Sequence, residues 1–268
     1  MKIAYVQNHP LFGEKQKNFA EIEKLTENLT ADILVLPELF ATGYTFTSRA
    51  EAEALGETTS GETAEFLKIL SLKTGAVIVA GFVELENDKV YNSSLIIEGN
   101  QVIDTYRKIH SFNRETLWFD AGDKPLKVYD VKGIKLGVMI CFDYFFPEVC
   151  RELTLQGMQV LAHPCNLVMP YCQKAMVTRC LENRIFAITA NRIGNEKRGE
   201  DDFTFTGASQ ITAFNGEVLS SAPLNTPSVS VVEIEPEKAL NKSINPYNDL
   251  LAQVRPEFYP SLSKPFQS

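Results

Sequence analysis

AVIVAGFVELENDKVYNSSLIIEGNQVIDTYRK, residues 76–108, is the stretch whose reading decides the fold. It opens with AVIVAGFVE (76–84), an apolar run of the length of a buried strand. VYNSSLII (90–97) and QVIDTYRK (101–108) then alternate in polarity, the period of a strand with one face covered. Glu98-Gly99-Asn100 between them supplies a tight hairpin turn. A hairpin pairs its strands antiparallel, so a sheet containing this stretch is not all-parallel.

Outward from there, strands alternate with helix-period segments. KIAYVQ (2–7) and DILVLPE (32–38) read as buried strands, the second broken by Pro37. Glu14 to Leu29 reads as a helix with Phe19, Ile22, Leu25 and Leu29 on one face, and residues 62–73 as another. Downstream, IKLGVMI (134–140) is a strand, Pro147 opens a helix reaching about Gln156, and Gly157 stops it. QVLAH (159–163), a helix over 171–184 and IFAITAN (185–191) continue the pattern. SQITAF (209–214) and SVSVVEI (228–234) are expected to flank a hairpin with Asn215-Gly216 at its turn. The fold class is α/β with mixed sheets. Without a Ser/Gly-rich linker, charge block or repeat, residues 1–245 are expected to form one domain, and 246–268 an extended tail.

A chain of 268 residues buries a large core without disulfide staples. Its net charge of −8 argues against nucleic acid as a partner, since no basic patch is available to displace counterions. No run is basic enough for a membrane anchor, and none is apolar enough for a span. The five cysteines form no C-x-x-C pair, and MKIAYVQNHP lacks a signal-like apolar region. A reducing, cytoplasmic location is the expectation.

Nucleotide-binding glycine motifs, H-E-x-x-H, paired C-x-x-C and G-x-S-x-G are all absent, and the three histidines are scattered. No metal and no cofactor are expected. Three residues instead share one placement: Glu38, Lys108 and Cys141 each follow a strand, where ligands gather in α/β sheets. Each has a plain alternative, as a turn acid, an edge lysine and a small core residue. Together they form a chemical set. A thiol needs a base or a nearby cation to attack, Glu38 can take its proton, and Lys108 favours developing negative charge. The Phe142 backbone N–H, opening the next turn, is a candidate second donor.

LVLPELFATGY around Glu38, YRKIHSFNRE around Lys108 and GVMICFDYFFPE around Cys141 resemble, in this order, the three signatures of the nitrilase superfamily of carbon–nitrogen hydrolases. The likeness extends to HPCNLVMP (163–170), RCLENRIFAITANRIG (179–194) and FTGASQI (205–211), and is nearest to small archaeal-type nitrilases and amidases. It implies a four-layer α-β-β-α sandwich and a Glu38–Lys108–Cys141 triad. It also implies a second active-site acid at Glu115, whose plain alternative is a surface acid. Tyr44 and Asn166 are weaker pocket-lining candidates, and Arg151, Arg179 and Glu182 are expected to brace helices. The implied reaction is cofactor-free hydrolysis of a small amide through a cysteine thioester.

Two departures bear on substrate. Phe142-Asp143 stands where strict nitrilases carry Trp-Glu, which favours an amide. Tyr144 and Phe145 stand where carboxylate-binding branches carry Arg, which favours a neutral substrate. The alternatives are an aliphatic nitrilase, an N-carbamoyl amidohydrolase, a Cys141–His163 enzyme of papain type, and an inactive binding homologue. The family likeness further implies a homodimer or larger homo-oligomer, paired through the helices after Cys141 and near 171–184.

Overall fold

The computed structural model describes residues 1–263. Strands β1 (Lys2–Gln7), β2 (Ile33–Val35) and β3 (Val77–Glu86) run parallel, and β4 (Lys89–Glu98) and β5 (Gln101–Arg107) extend the sheet antiparallel, as the opening stretch demands. A second sheet contains β6 (Val128–Val131), β7 (Ile134–Val138), β8 (Val160–Pro164) and β9 (Phe186–Ala190). A separate ribbon follows, β10 (Asn195–Arg198) with β11 (Asp201–Thr204), and then β12 (Gln210–Thr212) and β13 (Val218–Ser221) complete the second sheet. Finally β14 (Ser228–Glu233) returns to the first sheet, antiparallel to β1. The orders are β14-β1-β2-β3-β4-β5 and β13-β12-β9-β8-β7-β6, six strands each.

Alternation along the central strands sorts the core into layers. Ile3, Tyr5, Ile33, Val35, Val77 and Val79 belong to one cluster with Leu136, Val138 and Leu161 of the second sheet. Their neighbours Ala4, Val6, Leu34, Leu36, Ile78 and Ala80 pack instead with Phe19, Ile22, Leu67 and Leu70. Those four lie on α1 (Lys15–Leu25) and, after the short α2 (Arg49–Leu55), on α3 (Glu62–Thr74). Beyond the one-turn α4 (Glu115–Trp118), α5 (Pro147–Leu155) and α6 (Cys172–Asn183) supply Val149, Leu153, Met176 and Cys180 to the second sheet's side of the core. The result is the α-β-β-α sandwich, with a shift of one residue in any central strand exchanging its two faces.

Several local expectations need correction. The first helix stops at Leu25, because the Thr26 hydroxyl turns back onto the Ile22 carbonyl at 2.7 Å; Leu29 lies beyond it. The second strand is confined to Ile33–Val35. Asn215-Gly216 does form a turn, with Gly216 at φ 82°, but its strands are β12 and β13. The run 228–234 crosses to the other sheet instead. Strand β13 (VLSS), β6, the β10–β11 ribbon, α2 and α4 are too short to show a period. A small paired segment, Ser243–Asn245 with Asn248–Asp249, straddles the expected boundary between residues 245 and 246, and residues 264–268 of the expected tail lie outside the described residues.

Gly81 in β3 sets how closely the loop after β2 can approach. A Cβ there would lie 2.4 Å from the Leu39 nitrogen and 2.5 Å from the Glu38 Cα, both backbone atoms without freedom to retreat. Gly81→Ala is therefore expected to overpack this contact and destabilise the fold by about 1–3 kcal/mol, read as a lower urea midpoint at unchanged slope.

Candidate active site

Three chain segments deliver the expected residues to one rim. Lys108 follows β5, where its N–H donates to the Asn92 carbonyl at 2.9 Å and its own carbonyl accepts from Gly122 at 2.9 Å. Glu38 follows β2, and the next residue, Leu39, adopts φ 49°. Cys141 follows β7 and adopts φ 43°, a strained conformation for a residue with a Cβ. That strain is held by Asp143 in the turn Cys141–Phe145. Its carboxylate accepts the Ile140 N–H at 2.9 Å and the Tyr106 hydroxyl at 2.7 Å. The other oxygen meets the backbone N–H and Nδ1 of His110 at 3.2 and 2.8 Å, and the His110 ring stacks on Phe146.

At the centre, Lys108 Nζ donates to Glu38 Oε1 at 2.7 Å and to both oxygens of Glu115 at 2.9 and 2.8 Å. Asn92 Nδ2 adds a 2.7 Å bond to Glu38 Oε1, and the Tyr44 hydroxyl donates to Glu115 Oε1. Asn166 Nδ2 holds the Glu38 backbone carbonyl at 2.9 Å. Glu38 Oε2 is buried with no hydrogen-bond partner among the described residues. Tyr44 is held in turn by Glu196, which accepts the backbone N–H groups of Tyr44 and Thr45 and pairs with the fully buried Arg192.

Burial and charge compete at every titratable atom here. Burial works against a charged Lys108, but Glu115 and Glu38 overrule it and hold the ammonium well above lysine's ordinary range. Glu38 is raised above the usual carboxylate range chiefly by burial, with Lys108 opposing and Glu115 adding to the rise. The strongest influence on Cys141 is the hydrogen bond from Cys165, which lowers its thiol pKa. Burial and the charge of Glu38 outweigh that and leave it raised. Cys141 thus rests as a thiol, and would have to give up its proton before acting as a nucleophile.

Cys141 lines a narrow pocket with Phe112, Phe142, Tyr144, Asn166 and Leu167 among its walls. Phe142 is the second residue of the short helical turn, where an N–H has no partner within the helix. Tyr44 and Glu115 border an adjoining cleft with Trp118 and Phe203. Arg151 on α5 donates to the Glu182 carbonyl on α6, while Arg179 reaches the Tyr144 carbonyl and pairs with Glu182. His163 does not serve the thiol as base: its Nε2 lies 3.0 Å from the Cys141 backbone oxygen, and burial lowers its pKa to about 4. That removes the papain-type reading.

Sequence reasoning missed Asn92, Asp143 and Cys165. Asn92 was detectable as a polar residue within an otherwise core-bound strand. Asp143 was quoted in the motif but passed over, because its carboxylate serves backbone rather than substrate. Cys165 carries no spacing signal.

Lys108 is the cation set between two buried acids, so Lys108→Met is expected to cost about 3–5 kcal/mol of stability. Glu38, already raised by burial, would then lose the charge that opposes that rise. The sign follows: the folded state binds more protons, so the variant is most stable in acid and loses stability as pH rises above 4.5, the usual carboxylate value. Urea midpoints across pH check this; a midpoint that climbs with pH would contradict it.

The carbon-nitrogen hydrolase family model matches residues 2–240. A nitrilase from Pyrococcus abyssi is 44% identical over 263 residues, covering 97% of this chain and 99% of its own length. A 2-oxoglutaramate amidase from Bacillus subtilis is 30% identical over 249 residues, covering 89% and 93%. In fold, a carbon-nitrogen hydrolase from Helicobacter pylori G27 superposes with TM-score 0.89 at 23% identity, over 100% of this chain and 99% of that one. The match along nearly the whole chain shows that it is a carbon–nitrogen hydrolase of the nitrilase superfamily.

Proposed function

We propose that the enzyme hydrolyses a small neutral amide to its carboxylic acid and ammonia, with Cys141 as nucleophile, Glu38 as base and acid, and Lys108 as electrostatic stabiliser. The observation that carries this is the orphaned Glu38 Oε2. One carboxylate oxygen is tied down by Lys108 and Asn92, and the other is buried and free to accept a proton. Glu38 takes the thiol proton as sulfur attacks the amide carbon. Lys108 and the Phe142 N–H face the oxyanion. Glu38 returns the proton to the departing nitrogen, ammonia leaves, and a thioester remains. Water attacks that thioester, gives a proton to Glu38, and the thiolate departs and recovers it. Glu115 and Tyr44 hold the lysine in place, and Asn166 fixes the loop carrying Glu38.

The walls of the pocket that Cys141 lines are predominantly aromatic and aliphatic, which supports a neutral substrate over a carbamoyl amino acid, although Arg114 and Asp201 border the adjoining cleft. An aliphatic nitrile is the second reading, favoured by the relative named nitrilase at 44% identity. Ammonia release from matched amides, nitriles and carbamoyl amino acids tests both. Turnover of amides is expected, abolished in Cys141→Ala and lowered about 10²–10⁴-fold in Glu38→Gln. Turnover of nitriles alone would reverse the order, and none from any class, at background equal to Cys141→Ala, would favour the binding-homologue reading.

A homo-oligomer also belongs to this proposal. Leu155 on α5 and Leu181 on α6 are exposed, as are Tyr247 and Phe258 in the tail, apolar surface that a second copy would cover. Light scattering at micromolar concentration is expected to give at least a dimer; a monomer would contradict it.

A further inference from the structure

The mechanism leaves three buried donor residues unused. His163 ends near the Cys141 carbonyl, Cys165 Sγ donates to the His163 carbonyl at 3.4 Å, and Cys172 opens α6 at the positive end of that helix's dipole. All three are fully buried, and their ligating atoms lie within 4.8 Å of one another. The chain spacing, H-x-C followed seven residues later by C, matches no familiar metal motif. A second feature converges on the same place. The Tyr144 hydroxyl is buried without a hydrogen-bond partner among the described residues, and Cys172, Cys141 and Cys165 all act on it electrostatically.

We propose that His163, Cys165 and Cys172 form a site for a thiophilic divalent cation such as zinc or cadmium, and that filling it slows the hydrolase. Tetrahedral zinc with sulfur at about 2.3 Å sets its ligands roughly 3.8 Å apart, so side-chain rotation of about an ångström closes the cluster. Binding converts two thiols to thiolates, forms two metal–sulfur bonds and releases two protons to solvent, with no change of oxidation state. Two thiolates and a neutral imidazole cancel the cation's charge, which removes the main cost of burying it. Cys165 must give up its 3.4 Å contact with the His163 carbonyl, and the His163 ring must shift against the Cys141 backbone oxygen that its Nε2 meets at 3.0 Å. Disturbing that contact loosens the strained backbone that aims the Cys141 sulfur. Cadmium or zinc would then act from behind the reacting sulfur rather than on it. The inhibitory part rests on the hydrolase reading; the binding part does not.

Titration of the reduced, full-length protein with cadmium tests it, reading the thiolate-to-cadmium charge-transfer band and the protons released. Wild type and Cys141→Ala are both expected to bind one cadmium with two protons lost. Cys172→Ser, which preserves the side chain's size, is expected to weaken binding about a hundredfold or more. Its metal-free ammonia release is expected to match wild type while its sensitivity to cadmium is lost. A band and affinity unchanged in Cys172→Ser would overturn the site, as would loss of all binding in Cys141→Ala alone. Cadmium inhibition unchanged in Cys172→Ser would overturn the regulatory part. Should no substrate release ammonia, the hydrolase reading fails, yet the absorbance titration still decides the site.

Discussion

One ammonium group facing two buried carboxylates is the constraint on which the rest of the structure depends. Lys108 Nζ contacts Glu38 and Glu115 together, and each of the three side chains is almost wholly withdrawn from water. Charges at this depth cost several kcal/mol each to desolvate, so the arrangement survives only because lone pairs other than those of Glu38 Oε2 are also engaged. Asn92 and Tyr44 engage them, and the Arg192–Glu196 pair fixes the backbone that carries Tyr44. Much of the polar interior is thus a support for one lysine.

On the proposed mechanism, moving the proton from Cys141 to Glu38 exchanges a carboxylate for a thiolate beside Lys108 and leaves the net charge of the site unchanged. No new net charge is created in a low-dielectric pocket, which is the condition under which such a transfer is cheap. The backbone then has to supply alignment. It does so by strain at Cys141 and Leu39, held at the first by Asp143, whose four contacts leave the turn after β7 little room to relax.

How much of this was legible in the chain divides along physical lines. KIAYVQ and DILVLPE were legible as buried strands, because burial on both faces leaves a continuous apolar run; that Ile3 and Tyr5 face one layer and Ala4 and Val6 the other was not, since all four are apolar. Glu38, Lys108, Cys141 and Glu115 stood out through their motifs, and Gly157 and Pro147 through backbone chemistry. What stayed hidden was either too short to show a period, as with β13, or made by contacts across long sequence separations. Asn166 reaches Glu38 over 128 residues, and Tyr44 reaches Glu115 over 71. The misassigned partner of 209–214 has the same origin: a turn signal locates a hairpin's bend but not which later strand returns along it.

On the proposed reading, the choice between amide and nitrile does not reside in the triad. Both substrates need a nucleophilic sulfur, a stabilised negative charge and a proton for nitrogen, and the Glu38–Lys108 pair offers all of these to either. An amide presents a trigonal carbon with oxygen and nitrogen diverging from it, whereas a nitrile is linear. Selectivity must therefore come from the walls that orient the substrate about the sulfur. Those walls include Phe142 and Tyr144, set by the same turn that strains Cys141, and Phe112, whose backbone N–H donates to Glu115 at 3.2 Å. Shape and charge are coupled there: a change that moves Phe112 also loosens a contact on the acid that holds Lys108. Branches of this superfamily can thus share one triad and still differ in substrate, provided that the residues shaping the pocket change together with those that anchor the lysine.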